Sequence, residues 1–131
     1  MPVTSTTSSV KHWPSSETVL DALNAWGAAA ARRRDDLLAL GYFGSYARGD
    51  AGFGSDLDLI LIVASDHRRS MERAIDWRTD SLPVPTDLIV YTQDEWRRLQ
   101  AGGGRFARTL QEEAQWLWNS VPPRAAKVGQ R

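Results

Sequence analysis

Cysteine is absent from this chain of 131 residues, and its absence excludes disulfides, thiolate nucleophiles and thiolate metal ligands. Histidine is scarce, with 2 residues, His12 and His67, so a metal ion would have to be bound mainly by oxygen. No apolar run approaches the roughly 20 residues that a membrane-spanning helix requires. The first residues are also too hydroxylic for a signal peptide, and we therefore expect a cytoplasmic protein.

A surplus of either charge is also missing, because 16 Lys and Arg residues balance 16 Asp and Glu residues. Binding of long nucleic acid through counterion release needs a basic surplus, so this class of function is not favoured. The length fits one compact domain with one core. We expect this domain to span residues 17–121, between a disordered arm at 1–16 and a flexible basic tail at 122–131.

Apolar periodicity predicts both helices and strands. Steps of three and four residues indicate helices over residues 17–40, around 71–78, from the capping box at 92–95 to the glycines at 102–104, and over 106–121. Continuous apolar runs indicate strands at 39–43, 57–63 and 87–91. The predicted fold class is α/β (α+β), with a small mixed sheet flanked by helices.

A Gly-Ser turn, Gly44-Ser45, follows the first predicted strand and opens a short helical turn that contains Arg48. Backbone amides at such a turn, together with a serine hydroxyl, can bind phosphate oxygens, and an arginine can add a charge-assisted contact. A Gly-Ser turn alone is a common loop. The interpretation as a phosphate site depends on the acidic residues that follow it.

Two aspartates, Asp56 and Asp58, flank the first residue of the next predicted strand, and Asp87 begins the third. Side chains alternate along a strand, so Asp56 and Asp58 point to the same side. Paired carboxylates repel each other unless a proton or a cation relieves the repulsion, and Mg²⁺ prefers oxygen ligands shared with substrate phosphates. A turn-capping role would explain only one of the two aspartates. The spacing therefore predicts a magnesium site beside the phosphate site.

These residues resemble a known signature. Gly44-Ser45, Arg48-Gly49, the segment Ser55-Asp56-Leu57-Asp58-Leu59 and Asp87 are similar to the motif of the DNA polymerase β-like nucleotidyltransferase superfamily, and the short length resembles its minimal branch. The resemblance covers roughly residues 20–120. It implies a polymerase β-like nucleotidyltransferase core that uses ATP and two Mg²⁺ ions.

The resemblance also implies roles for individual residues. Gly44, Ser45, Arg48 and Ser55 would form the nucleotide-binding segment, with Ser45 and Arg48 on the triphosphate. The catalytic metal ligands would be three aspartates: Asp56 and Asp58, which both ions share, and Asp87, which lies on the nucleophile side and can serve as the base.

The minimal branch also suggests a partner. Its members often act as antitoxins that add AMP to a tyrosine of a HEPN-domain toxin, and the presence of all three acidic residues favours an active enzyme. The same chemistry on a small hydroxylated molecule, such as an aminoglycoside, is one alternative. A non-catalytic antitoxin that neutralises its partner by binding alone is another.

Tryptophan is abundant, with 6 residues, and this favours self-association or association with a partner. If the last predicted helix buries Trp118, then Trp116 turns toward the side of Glu112 and Glu113, where an exposed tryptophan would suit an interface. The alternative is that Trp116 lies over the edge of its own core.

Overall fold

The structure is a computed structural model that describes residues 13–122. Most of the predicted arm and most of the predicted tail lie outside these described residues. Trp13, which belongs to the predicted arm, lies against the core of the domain. Between residues 13 and 122, none of the helices has the length and apolar character needed to cross a membrane.

The described residues form helices on both sides of one sheet. The helices are α1 (Ser16–Arg33), α2 (Ser45–Arg48), α3 (Ser70–Ala74), α4 (Gln93–Gly102) and α5 (Arg105–Glu113). The strands are β1 (Leu37–Phe43), β2 (Leu57–Val63), β3 (Thr86–Thr92) and β4 (Gln115–Asn119). The strand order is β3-β2-β1-β4; β2 and β3 are parallel, and β1 is antiparallel to both of its neighbours. The predicted mixed sheet flanked by helices is confirmed.

Strand β2 lies inside the sheet and separates two hydrophobic clusters, which is why its sequence is continuously apolar. Leu57, Leu59 and Leu61 face the cluster under α1, while Ile60 and Ile62 face the cluster under α4 and α5. Asp58 lies between Leu57 and Leu59, so its side chain belongs to the α4 and α5 side of the sheet. The predicted bounds of this strand are confirmed.

Helix α1 is shorter than predicted. Ser15 caps its start by accepting a hydrogen bond from the Thr18 amide. The apolar residues spaced three and four apart, Val19, Leu23, Trp26 and Ala30, are buried. The helix ends at Arg33, and Arg34 is already extended. The prediction of helix up to residue 40 is wrong because Leu37 to Leu40 pair with β2 and β4 in the sheet.

Helix α3 is shorter than the helix predicted around 71–78, since it ends at Ala74. Its apolar residues do not form its buried face, because Met71 and the capping residue Ile75 are 78% and 79% exposed. The buried residue is Arg73, whose guanidinium donates to both carboxylate oxygens of Glu95 and to the Val90 carbonyl. A charged anchor replaces an apolar face, and apolar periodicity does not detect such an anchor.

Helix α4 follows the prediction. Thr92 and Glu95 form the expected capping box, and Trp96 is buried. The helix stops at the three glycines, where Gly103 adopts a left-handed conformation with a φ of 64°. Such a conformation favours glycine because it has no Cβ.

The last predicted helix is wrong beyond Glu113. Residues 115–119 form β4, which pairs with β1. An irregularity between Leu40 and Gly41 places Trp116 and Trp118 on opposite faces of the sheet. Trp116 packs edge-on against Trp96 with ring centroids 5.7 Å apart, so its predicted interface role gives way to packing over its own core.

The sheet packs closely against α1 at Gly27. A Cβ added there would lie 2.7 Å from Leu40 Cδ2 and 3.2 Å from the Trp118 ring. Gly27→Ala is therefore expected to lower the free energy of unfolding by about 1–2 kcal/mol, since overpacking outweighs the better helix propensity of alanine.

Gly102→Ala is the matched control for this prediction, because it changes a helical glycine whose Cβ would meet nothing within 4 Å. Urea unfolding of both variants measures the difference. Equal stability of the two variants would contradict the close packing of α1.

Candidate active site

The sheet topology explains why sequence-distant polar residues meet. Phe43, the last residue of β1, pairs with Asp58 at the start of β2, because these strands are antiparallel. Asp58 pairs in turn with Asp87 at the start of β3, because β2 and β3 are parallel. We call this region, where β1 ends and β2 and β3 begin, the acidic end of the sheet. It brings the Gly-Ser turn beside the predicted metal ligands.

Gly44 connects β1 to α2 in a conformation that requires glycine. Its φ is 77° and its ψ is −152°, a region that residues with a Cβ essentially do not occupy. A Cβ at this position would also collide with Asp58 Oδ2. The glycine is therefore needed both for the turn and for the close approach of the Asp58 carboxylate to the backbone.

Helix α2 is fixed at both ends. The amides of Ala47 and Arg48 both donate to the Gly44 carbonyl at 3.0 Å, and Gly49 ends the helix in a left-handed conformation. The Tyr46 side chain is buried in the cluster under α1. This anchor holds Ser45 at the acidic end of the sheet, where its hydroxyl lies partly exposed.

The carboxylates at this end differ in burial. Asp56 and Asp87 are exposed, whereas Asp58 is partly buried. Burial raises the pKa of Asp58, and the negative charges of Asp87 and Asp56 raise it further. The negatively charged form of Asp58 is therefore disfavoured, as expected for a partly buried carboxylate near others.

Glu113 is a residue of this site that the motif does not predict. It ends α5, immediately before β4, and β4 begins beside the end of β1. Its carboxylate accepts hydrogen bonds from the Gly44 amide at 3.3 Å and from the Arg48 guanidinium at 3.2 Å. The sequence holds no local signal for this contact, because it depends on the pairing of β4 with β1.

Ser55 has a local structural role. Its hydroxyl accepts a hydrogen bond from the Gly52 amide at 2.9 Å, and its amide donates to the Gly52 carbonyl at 3.0 Å. These contacts close the turn that leads into Asp56. Arg48, also predicted to bind nucleotide, is half-exposed and pairs with Asp50 and Glu113.

A family model for a nucleotidyltransferase domain matches residues 28–117. The chain belongs to this family. The matched region runs from α1 into β4, so this nucleotidyltransferase domain includes the whole acidic end of the sheet and Glu113.

One solved structure agrees with the fold, and two others show weaker similarity. A candidate nucleotidyltransferase from Sulfolobus solfataricus is similar with a TM-score of 0.56 and 19% identity, over 83% of this chain and 92% of that one. A toxin-antitoxin complex with AMP-PNP gives a TM-score of 0.46 and 18% identity, over 81% and 74% of the two chains. The toxin-antitoxin MntA-HpeT gives a TM-score of 0.43 and 15% identity, over 81% of this chain and 74% of that one. No curated protein matches this chain significantly.

The family generally uses a nucleoside triphosphate with a divalent metal ion, and the donor set of this nucleotidyltransferase suits Mg²⁺. Asp56, Asp58 and Asp87 offer only oxygen ligands. The negative charges of Asp87 and Asp56 already raise the pKa of Asp58, and a bound cation would offset this repulsion. Within residues 13–122, no three His, Asp or Glu side chains form a ready metal cluster by themselves. Magnesium usually takes one or two carboxylates and completes its shell with water and substrate phosphates, so the residues fit an ion that arrives with nucleotide.

The raised pKa of Asp58 predicts how stability depends on pH. An aspartate whose pKa is higher in the folded state than its ordinary value of 3.8 makes folding less favourable once the pH rises above that ordinary value. In metal-free buffer, Asp58→Asn is therefore expected to raise the free energy of unfolding at pH 7. It should have little effect near pH 3, where the carboxyl is protonated in both states.

Urea unfolding at both pH values, with a chelator present, measures this difference. Asp21→Asn, on the exposed side of α1, is the control for the loss of one negative charge. A destabilising effect of Asp58→Asn at pH 7 would show that the Asp58 carboxylate is stabilised by its neighbours rather than repelled.

Proposed function

We propose that this nucleotidyltransferase is Mg²⁺-dependent and transfers AMP from ATP to a hydroxyl group of a partner protein. The observation that carries the proposal is the position of the Gly44 turn directly against the Asp58 carboxylate, with no room for a Cβ between them. A phosphate-binding turn and a metal-binding carboxylate at this separation can act on one triphosphate. The nucleotidyltransferase family match spans both elements.

The triphosphate would lie on the turn. The amides of Gly44 and Ser45, the Ser45 hydroxyl and the Arg48 guanidinium are the donors for its outer phosphates. Gly44 and Arg48 already bind an anionic group, the Glu113 carboxylate, which supports their capacity to bind anions. Ser55 would contribute by shaping the loop that leads to Asp56, since its hydroxyl closes that turn.

The three aspartates would act on the reacting end of the nucleotide. Asp56 and Asp58 would bind two Mg²⁺ ions, and Asp87, paired with Asp58 across the parallel strands, would bind the ion on the acceptor side. Bound Mg²⁺ would neutralise charge on the phosphates and make the acceptor hydroxyl more acidic. The raised pKa of Asp58 supports this assignment, because a cation would remove the repulsion that raises it.

The transfer step follows from these positions. The acceptor oxygen attacks the α-phosphorus of ATP, and the bond from that phosphorus to the oxygen bridging to the β-phosphate breaks. Pyrophosphate leaves with the electron pair of the broken bond. The hydroxyl proton passes to a base, for which Asp87 is the candidate, since it is exposed at the acidic end of the sheet.

The acceptor we propose is a tyrosine hydroxyl of a HEPN-domain toxin, with this chain as its antitoxin. Support comes from the likeness of Gly44-Ser45, Arg48 and the aspartate pair to the superfamily signature. The short length resembles the minimal branch of that superfamily, in which such toxins are frequent acceptors. Three intact acidic positions further support an active enzyme rather than an antitoxin that acts by binding alone.

Transfer of label from ATP labelled at the α-phosphate tests the proposal. The purified chain is incubated with Mg²⁺ and either a lysate of its host or the product of the neighbouring gene. We expect label on one protein band, and mass spectrometry should place AMP on a tyrosine. Asp58→Asn should reduce the labelling about 100-fold or more, because loss of a metal ligand should cost at least as much as loss of a residue that only orients one.

Asp21→Asn on the exposed side of α1 is the matched control and should label at the rate of the natural chain. Label on a small molecule instead of a protein would redirect the proposal to a small hydroxylated acceptor. If Asp58→Asn still binds and silences the partner and no label appears with either form, the enzymatic proposal is wrong and binding alone neutralises the partner.

A further inference from the structure

Glu113 contacts the donors that the proposed function assigns to the triphosphate. Its carboxylate accepts from the Gly44 amide at 3.3 Å and from Arg48 Nη1 at 3.2 Å. The Glu113 side chain is 18% exposed and that of Arg48 is 49% exposed. A carboxylate and a phosphate group offer the same kind of anionic oxygen, so both compete for these donors.

The surroundings of Glu113 oppose its charge in two ways. It is the last residue of α5, where the helix dipole disfavours a negative side chain. Its charge also lies close enough to Asp58 to contribute to the raised pKa of that carboxyl. The contacts with Gly44 and Arg48 offset these costs, so the stability of α5 alone does not explain a glutamate at this position.

We propose that Glu113 is a positioning residue that holds the Gly44 amide and Arg48 before nucleotide binds and yields both donors to the triphosphate. This inference rests on the proposed function, because it takes those donors as the phosphate site. The carboxylate keeps the turn and the arginine in place in the empty enzyme. It also makes nucleotide binding weaker than the donors alone would allow.

The test compares Glu113→Gln with the natural chain in binding α,β-methylene ATP, which cannot transfer AMP, in the presence of Mg²⁺. Glutamine retains an oxygen for the Gly44 amide but removes the charge that competes with and repels the triphosphate. We expect about two- to fivefold tighter binding by calorimetry, the range that a partly exposed ion pair provides. With ATP and the labelled partner, KM for ATP should fall by a similar factor while kcat stays within about twofold.

Glu112→Gln is the matched control, since Glu112 is the exposed neighbour of Glu113 on the same helix. It removes one negative charge near the end of α5 and should leave nucleotide affinity unchanged. Equal tightening in both variants would overturn the proposal, because a general change in charge would then explain the effect.

The Gly44 amide gives a second readout that a purely structural role would not produce. In nitrogen-proton NMR spectra without nucleotide, Glu113→Gln should shift the Gly44 peak, because the partner of that amide changes from a carboxylate to an amide oxygen. With saturating analogue, the Gly44 peaks of the natural chain and the variant should coincide, since phosphate replaces the side chain in both.

The outcomes separate the two proposals. If the natural chain binds the analogue and Glu113→Gln binds it equally or more weakly, Glu113 is a permanent brace and this inference is wrong, while the proposed function stands. Gly44 peaks that still differ at saturation lead to the same conclusion. If the natural chain does not bind the analogue with Mg²⁺ at all, both proposals fail. If Glu113→Gln does not fold, Glu113→Asp replaces it in the test. The aspartate side chain is too short to reach both donors, so we expect this variant to bind the analogue more tightly than the natural chain does, by a smaller factor than expected for glutamine.

Discussion

The close approach of the Gly44 backbone to the Asp58 carboxylate is the contact on which the rest of the site depends. It arises because β1 and β2 are antiparallel, so that the turn after β1 returns beside the start of β2. Only glycine permits it, both for its positive φ and for the missing Cβ. The buried Tyr46 ring below and the apolar residues of β2 hold the two partners in place. The turn proposed to bind phosphate and the carboxylate proposed to bind metal thus share one support.

The electrostatics of this nucleotidyltransferase suit a site that is completed by its substrate. Burial and neighbouring carboxylates raise the pKa of Asp58, while Glu113 contacts the nearby cationic and amide donors. The charge of Asp58 is thus imperfectly compensated, and Glu113 occupies donors that phosphate oxygens could also use. In the proposed function, Mg²⁺ would pair with the aspartates, and the phosphates would pair with the amide and the arginine. The repulsion at Asp58 would then favour binding of a magnesium-nucleotide complex.

The elements that the sequence correctly predicts are those whose signals are local. Strand β2, the Thr92 capping box and the Gly-Ser turn follow from composition and spacing. The sequence does not predict features that depend on tertiary pairing. Phe106 and Leu110 begin a helical period that continues through Trp116 and Trp118 in the sequence, and this period predicts a helix. Pairing with β1 makes the segment that contains the two tryptophans a strand instead. Arg73 was not expected inside because its partner, Glu95, lies on another helix. Glu113 belongs to the same group, since it lies at the end of α5 and its partners, Gly44 and Arg48, lie in the turn and the helix that follow β1.

Mn²⁺ can replace Mg²⁺ and broadens the NMR signals of nearby nuclei, so it directly locates the bound metal. With α,β-methylene ATP present, we expect the amide signals of Gly44, Ser45, Asp58 and Asp87 to broaden together and Asp58→Asn to abolish this effect. Broadening centred elsewhere, for instance on Asp66 and Asp76, which both pair with Arg68, would contradict this expectation. So would nucleotide-dependent broadening that Asp58→Asn leaves unchanged.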